Sequence, residues 1–217
     1  MSTPYLGDPS LVWTTDQLAA ALGPMPLSRI VFDPVPGTAT IDDVVRLEAE
    51  QNMLCELVDA TLVRKTMGYY ESILATKLAS LLSQFAADQN LGVVAGEAGM
   101  LRILPDQVRI PDVSFVSWER LKSTLPARDA APSVAPDLAV EIISPGNTRE
   151  EMDRKLRDYF AAGVRLVWYV YPQTKEIHVF TALEQQTVLG EPDQLTGGEV
   201  LPGLTVDLAS YFAMPAP

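Results

Sequence analysis

Apolar side chains recur at Leu74, Leu78, Leu81, Leu82 and Phe85 with the three- and four-residue spacing of a helix, and predict one buried stripe. Continued back by three residues, the stripe reaches Glu71. A carboxylate there is tolerated by the positive end of the helix dipole, and the same position also suits an acid that merely caps the helix. A second stripe, Met152, Leu156, Tyr159 and Phe160, predicts a helix opened by a capping box at Thr148 and Glu151 and closed by Gly163. Lys155 falls within that stripe, whereas Arg154, Arg157 and Asp158 fall largely outside it.

Short apolar runs predict strands at 92–95, 100–103, 113–116, 138–143, 165–170 and 177–180, with a hairpin turn at 171–175 between the last two. Upstream, 15–22 reads as a short helix stopped by Gly23-Pro24, Thr40 and Asp43 as a capping box opening a helix to about residue 50, and 54–63 as a hairpin turning at Asp59-Ala60. From Thr181 on, Gly, Pro and acidic residues predict loops and a short terminal segment. Strands, a helix, then more strands give an α/β (α+β) domain over 38–205, with an N-terminal extension at 1–37 and a C-terminal tail at 206–217.

Composition narrows the chemistry. Apolar residues make up 47% of the 217-residue chain, enough for one sizeable core. No apolar run approaches the ~18–20 residues that span a bilayer, and the first residues lack the pattern of a signal peptide. The single cysteine, Cys55, fits a reducing compartment, so a cytoplasmic protein without membrane attachment is expected. One histidine, His178, lies in a strand pattern and reads as a strand-surface residue. A Cys/His zinc site and a Cys-His nucleophile pair are thereby disfavoured, leaving carboxylates and lysine. The net charge of −12 opposes nucleic-acid binding, but residues 102–165 carry equal numbers of acidic and basic side chains. The whole excess lies in the flanks.

Glu141 interrupts the apolar run 138–143, where an ionised carboxylate costs several kcal/mol unless an arginine, a lysine or a metal compensates it. Asp112 opens the strand 113–116 behind Pro111. Carboxylates from two neighbouring strands repel unless a cation sits between them, and magnesium accepts such a pair while keeping several waters. Asp137, also behind a proline, reads as strand-entry structure. Lys155 is the structural partner of Glu141, a catalytic ammonium, or a side chain that snorkels to solvent.

The ordered set Glu71, Pro111-Asp112, Glu141 and a following lysine resembles the PD-(D/E)XK nuclease superfamily, and more specifically the Uma-two family of restriction-endonuclease-like proteins. The matching stretches are 55–59, 67–72, 109–116, 136–145, and 155–172 in part, and the resemblance covers about 38–205. It implies a restriction-endonuclease-like core, a central mixed β-sheet flanked by helices. It further implies a metal-dependent endonuclease that hydrolyses phosphodiester bonds, with DNA as substrate. By that similarity Asp112 and Glu141 hold Mg²⁺ or Mn²⁺, Glu71 helps to orient the ion or its water, and Lys155 supplies the catalytic ammonium. The strand lysine usual two residues after the glutamate is here Ile143, so Lys155 takes its role from the following helix. The alternative is a catalytically inactive module of the same fold acting in protein or nucleic-acid interaction. A homodimer through an exposed strand or the N-terminal segment is the assembly expected.

Overall fold

The computed structural model describes residues 13–121 and 129–213; the remainder of the predicted extension and tail lies outside them. Helix α1 (Thr15–Leu22) is capped reciprocally by Thr14 and Gln17 and stopped at Gly23. A 3-10 turn at Leu27–Arg29 leads to α2 (Ile41–Gln51), opened by the capping box of Thr40 and Asp43. Strands β1 (Cys55–Val58) and β2 (Thr61–Arg64) form a hairpin. Its turn residues Asp59 and Ala60 both have positive φ, 46° and 50°, the backbone that matches the twist of tightly joined strands.

The long helix α3 (Tyr69–Asp88) is followed by β3 (Gly92–Ala95), β4 (Leu101–Leu104), β5 (Gln107–Arg109), β6 (Val113–Ser117) and the short α4 (Trp118–Leu121). Then come β7 (Leu138–Ile142), α5 (Arg149–Ala161), β8 (Leu166–Tyr171), β9 (Glu176–Ala182), β10 (Gln185–Leu189), β11 (Gln194–Gly197), β12 (Leu201–Asp207) and α6 (Leu208–Phe212). A six-stranded sheet of order β10-β9-β8-β7-β6-β3 forms the centre. It is mixed, because β7 and β8 run parallel through the α5 crossover while the other pairs are antiparallel. A second, four-stranded antiparallel sheet has the order β2-β1-β5-β4, and β11–β12 form a separate hairpin.

Alternation along the central strands makes two cores. Val113, Phe115, Leu138, Val140, Ile142 and Trp168 face α3 and the terminal hairpin. Ala139, Val167, Tyr169 and Phe180 face Met152, Leu156 and Tyr159 of α5. At the sheet edge Gly92 is sterically required, since an added Cβ would fall 2.1 Å from the Val116 carbonyl oxygen.

Three expectations are corrected. The buried stripe of α3 is Leu74, Leu78 and Leu82; Leu81 is 42% exposed and Phe85 half-buried. Leu81 lies about 100° around the helix from Leu82, so the core cannot reach both equally. The Thr148–Glu151 box closes only by half. Thr148 accepts the Glu151 N–H, but the Glu151 carboxylate turns instead to Arg29 in a two-pronged pair at 2.9 and 2.8 Å. The segment after Thr181 is largely strand rather than loop. Its β10 is mostly exposed, so no apolar alternation marks it, and β12 buries only Leu201, Leu204 and Val206 among polar and small residues.

Candidate active site

Glu141 lies on the face of β7 that α5 covers, and the α5 stripe carries Lys155 inward to meet it. Lys155 Nζ donates to both Glu141 oxygens at 3.1 Å and reaches Glu56 Oε1 at 3.0 Å. The Tyr159 hydroxyl, one turn further along α5, donates to Glu141 Oε1 at 2.5 Å. Both the lysine and the glutamate are buried, at 5% exposure each. Lys155 therefore points inward and does not snorkel to solvent.

Asp112 sits where β6 begins. Its N–H donates to the Val140 carbonyl at 2.9 Å, and its Oδ2 accepts the Ile142 N–H at 2.6 Å, so it brackets Glu141 from the neighbouring strand. Its Oδ1 pairs with Lys65 Nζ at 2.8 Å. Asp112 also lines a cleft of about 300 Å³ shared with Ala75, Ala79, Ser80 and Ser83 of α3 and with Glu97. Glu71 stands apart from these ion pairs. It is half-buried in the first turn of α3, where its carboxylate folds back over Gly68. Asp137 is a structural acid as expected, accepting from Ser117 N–H and pairing with Arg120 and Arg165. His178 lies in β9, its ring tilted against that of Tyr171 with centroids 4.3 Å apart.

Four further side chains complete the cluster. Glu56 takes Arg109 Nη1 at 2.7 Å and the Ile110 N–H at 3.1 Å besides Lys155. Arg109 continues to Asp158, and Lys65 and Tyr159 close the two ends. Glu56 carried the same sequence signal as Glu141, an acid inside a fully buried strand. Tyr159 was legible only as part of an apolar stripe. Lys65 carried no signal, being a lysine just beyond a strand end.

Burial opposes ionisation of Glu56, but Lys155 and Arg109 outweigh it and hold the carboxyl down at about 2. Glu141 moves the other way. Burial raises its pKa, and the repulsion of Asp112 and Glu56 adds to that against the attraction of Lys155. Lys155 stays protonated: burial disfavours its charge, yet Glu141 and Glu56 raise its pKa. Burial and the neighbouring Glu141 also keep the Tyr159 hydroxyl protonated, as its donor role requires.

Asp112 and Glu141, two carboxylates that interact electrostatically across adjacent strands, are the residues of this cluster that could hold a hard divalent cation. Magnesium needs no more protein ligands than that. Among the described residues, no group of three or more His, Cys, Asp or Glu side chains is placed to hold a metal. The residues fit a sparsely held, water-rich ion if Lys65 gives up Asp112 Oδ1 and the ion takes a remaining lone pair of Glu141, whose oxygens already accept from Lys155 and Tyr159.

Comparison with known proteins agrees with this architecture. A family model described as "Putative restriction endonuclease" matches residues 41–209, and the chain belongs to that family, Uma2. A solved structure from Anabaena variabilis ATCC 29413, titled a putative nuclease of the DUF820 group, shares the fold with a TM-score of 0.66. The two are 19% identical, and the match covers 80% of this chain and 97% of that one. No curated protein matches the chain. Among the described residues no helix is long and apolar enough to cross a membrane.

Proposed function

We propose that the Asp112–Glu141–Lys155 cluster is the active site of a divalent-ion-dependent endonuclease acting on nucleic acid, with DNA as the first substrate to test. What supports this reading is that Asp112 and Glu141 lie on adjacent strands, with the buried Lys155 ammonium between Glu141 and Glu56. Family membership and the shared fold support it, although fold alone does not assign chemistry.

Asp112 and Glu141 would hold the ion. When bound, a magnesium or manganese ion supplies an acidified water and neutralises charge at the phosphate. The chain's own residues set the stage for it. Tyr159 and Lys155 fix the Glu141 carboxylate, the Ile142 N–H fixes Asp112 Oδ2, and Lys65 holds Asp112 Oδ1. Lys155, kept charged by Glu141 and Glu56, is the preorganised cation for negative charge that develops on the phosphate. Glu71, near the start of α3, is assigned the outer acid that orients water or ion. The expected location is the cytoplasm.

Plasmid and single-stranded DNA incubated with Mg²⁺ or Mn²⁺ test the reading, with wild type compared against Asp112→Ala. Cleavage by wild type alone is expected. Equal cleavage by both proteins removes the assignment.

A second reading has its own support. Glu56, Asp112 and Glu141 are already balanced by Lys65, Arg109 and Lys155, as in a purely structural network. The fold would then serve as a non-catalytic interaction module, and no divalent binding would depend on Glu141.

A further inference from the structure

The two lysines of the cluster have different partners. Lys155 contacts two buried glutamates, and its side chain is 6% exposed. Lys65 lies one residue beyond β2, with a side chain one-tenth exposed. Its Nζ is held by two oxygens, Asp112 Oδ1 at 2.8 Å and the Ile110 carbonyl at 2.5 Å. One carboxylate oxygen and one backbone carbonyl oxygen are the donors that a hard cation takes. The ammonium thus stands in a cation's position, on a flexible stem of the kind that can leave it.

We infer that Lys65 is an internal cation that competes with the divalent ion at Asp112. While it is docked, the Asp112 charge is compensated and the acid cluster is stable without metal. Ion binding requires that Lys65 release Asp112 Oδ1, so the site carries a built-in threshold for the ion. Lys155 cannot play this part, because its withdrawal would leave Glu141 and Glu56 buried with less compensation. The inference rests on the proposed ion site and adds the residue that regulates its occupancy.

Manganese titration by calorimetry tests it on the full chain, alongside amine labelling of the wild type read by mass spectrometry. Lys65→Met is expected to bind Mn²⁺ about tenfold more tightly than wild type, as loss of a competitor predicts. Asp112→Asn is expected to abolish binding. In the wild type, Mn²⁺ should raise labelling of Lys65 while leaving Lys175, a surface lysine paired with Glu191, unchanged. The labelling arm needs no variant and stands even if Lys65→Met does not fold. Binding that depends on Asp112 with no rise in Lys65 labelling, or with no gain in Lys65→Met, overturns the inference and leaves the ion site intact. No binding that depends on Asp112 overturns both.

Discussion

The two faces of the central sheet are built on opposite principles. Toward α3, Leu74, Leu78 and Leu82 pack on Val113, Phe115, Leu138, Val140 and Trp168, an apolar interface. Toward α5, the same strands present Glu141, and the helix answers with Lys155, Tyr159 and, further out, Asp158 bound to Arg109. Apolar burial stabilises at roughly 25 cal/mol per Å² with little dependence on geometry. Buried charges must first be desolvated, at several kcal/mol per ion, and recover that only through well-placed partners. A fold does not need the second face to be stable. That face nevertheless carries four acids and three cations, and separate perturbation of each face tests what they contribute.

The largest effect is expected from removing one charge of the polar face. Lys155→Met should destabilise by about 3–5 kcal/mol, because Glu141 and Glu56 then lose a shared cation. Adding Glu141→Leu should recover most of that loss, since Arg109 and the Ile110 N–H still serve Glu56. Urea melts of the two variants decide it: a double variant as unstable as the single one would mean that the network itself holds the fold. On the apolar face no such rescue exists. Leu78→Ala should cost about 2–5 kcal/mol by transfer and cavity terms, with no second substitution of charge type restoring it.

Acid distinguishes the faces next. Glu56 has its pKa depressed from the ordinary 4.5 to about 2. Its contribution is therefore fully present above pH 4.5 and is lost as pH falls toward 2. Glu141, with a raised pKa, acts with opposite sign: its ionisation weakens the fold as pH rises through the folded value, and protonation relieves that. Metal-free melts across this range should show a shallower acid loss for Glu56→Gln than for wild type. An unchanged slope would mean that Glu56 is not the acid whose protonation opens the cluster.

Much of this division could be read from the chain, for reasons that differ by residue. Capping residues Thr40 and Thr148, the helix-ending Gly163 and the Asp59-Ala60 turn act through local backbone chemistry, and each marks its element within a residue or so. Glu141 and Lys155 were visible because a charge breaks an apolar period. Lys65 and Arg109 were not visible as site groups. Their roles come from β1, β2 and β5 meeting in one sheet, and no local period encodes that meeting. The Glu151 carboxylate shows the same limit from the other side. Its local motif predicts a cap, and Arg29, 122 residues away, takes the carboxylate instead.

The smallest effect is the sharpest check on how the apolar face is laid out. Leu81 and Leu82 are adjacent and chemically identical, and hydrophobic spacing assigned both to the core. In the fold Leu82 is fully buried and Leu81 is 42% exposed. Leu81→Lys should then change stability by no more than about 0.5 kcal/mol, the range of surface substitutions, while the same change at Leu82 would place an unpaired charge in the core. Lysine is the informative choice. Its stem can still cover the surface that Leu81 covers, so a neutral result reports exposure and not a loss of packing. A large loss at Leu81, measured in the same urea melts, would mean that a second surface covers this flank of α3. In that case the boundary between the apolar face and the outside of the molecule lies one row further out than the isolated chain shows.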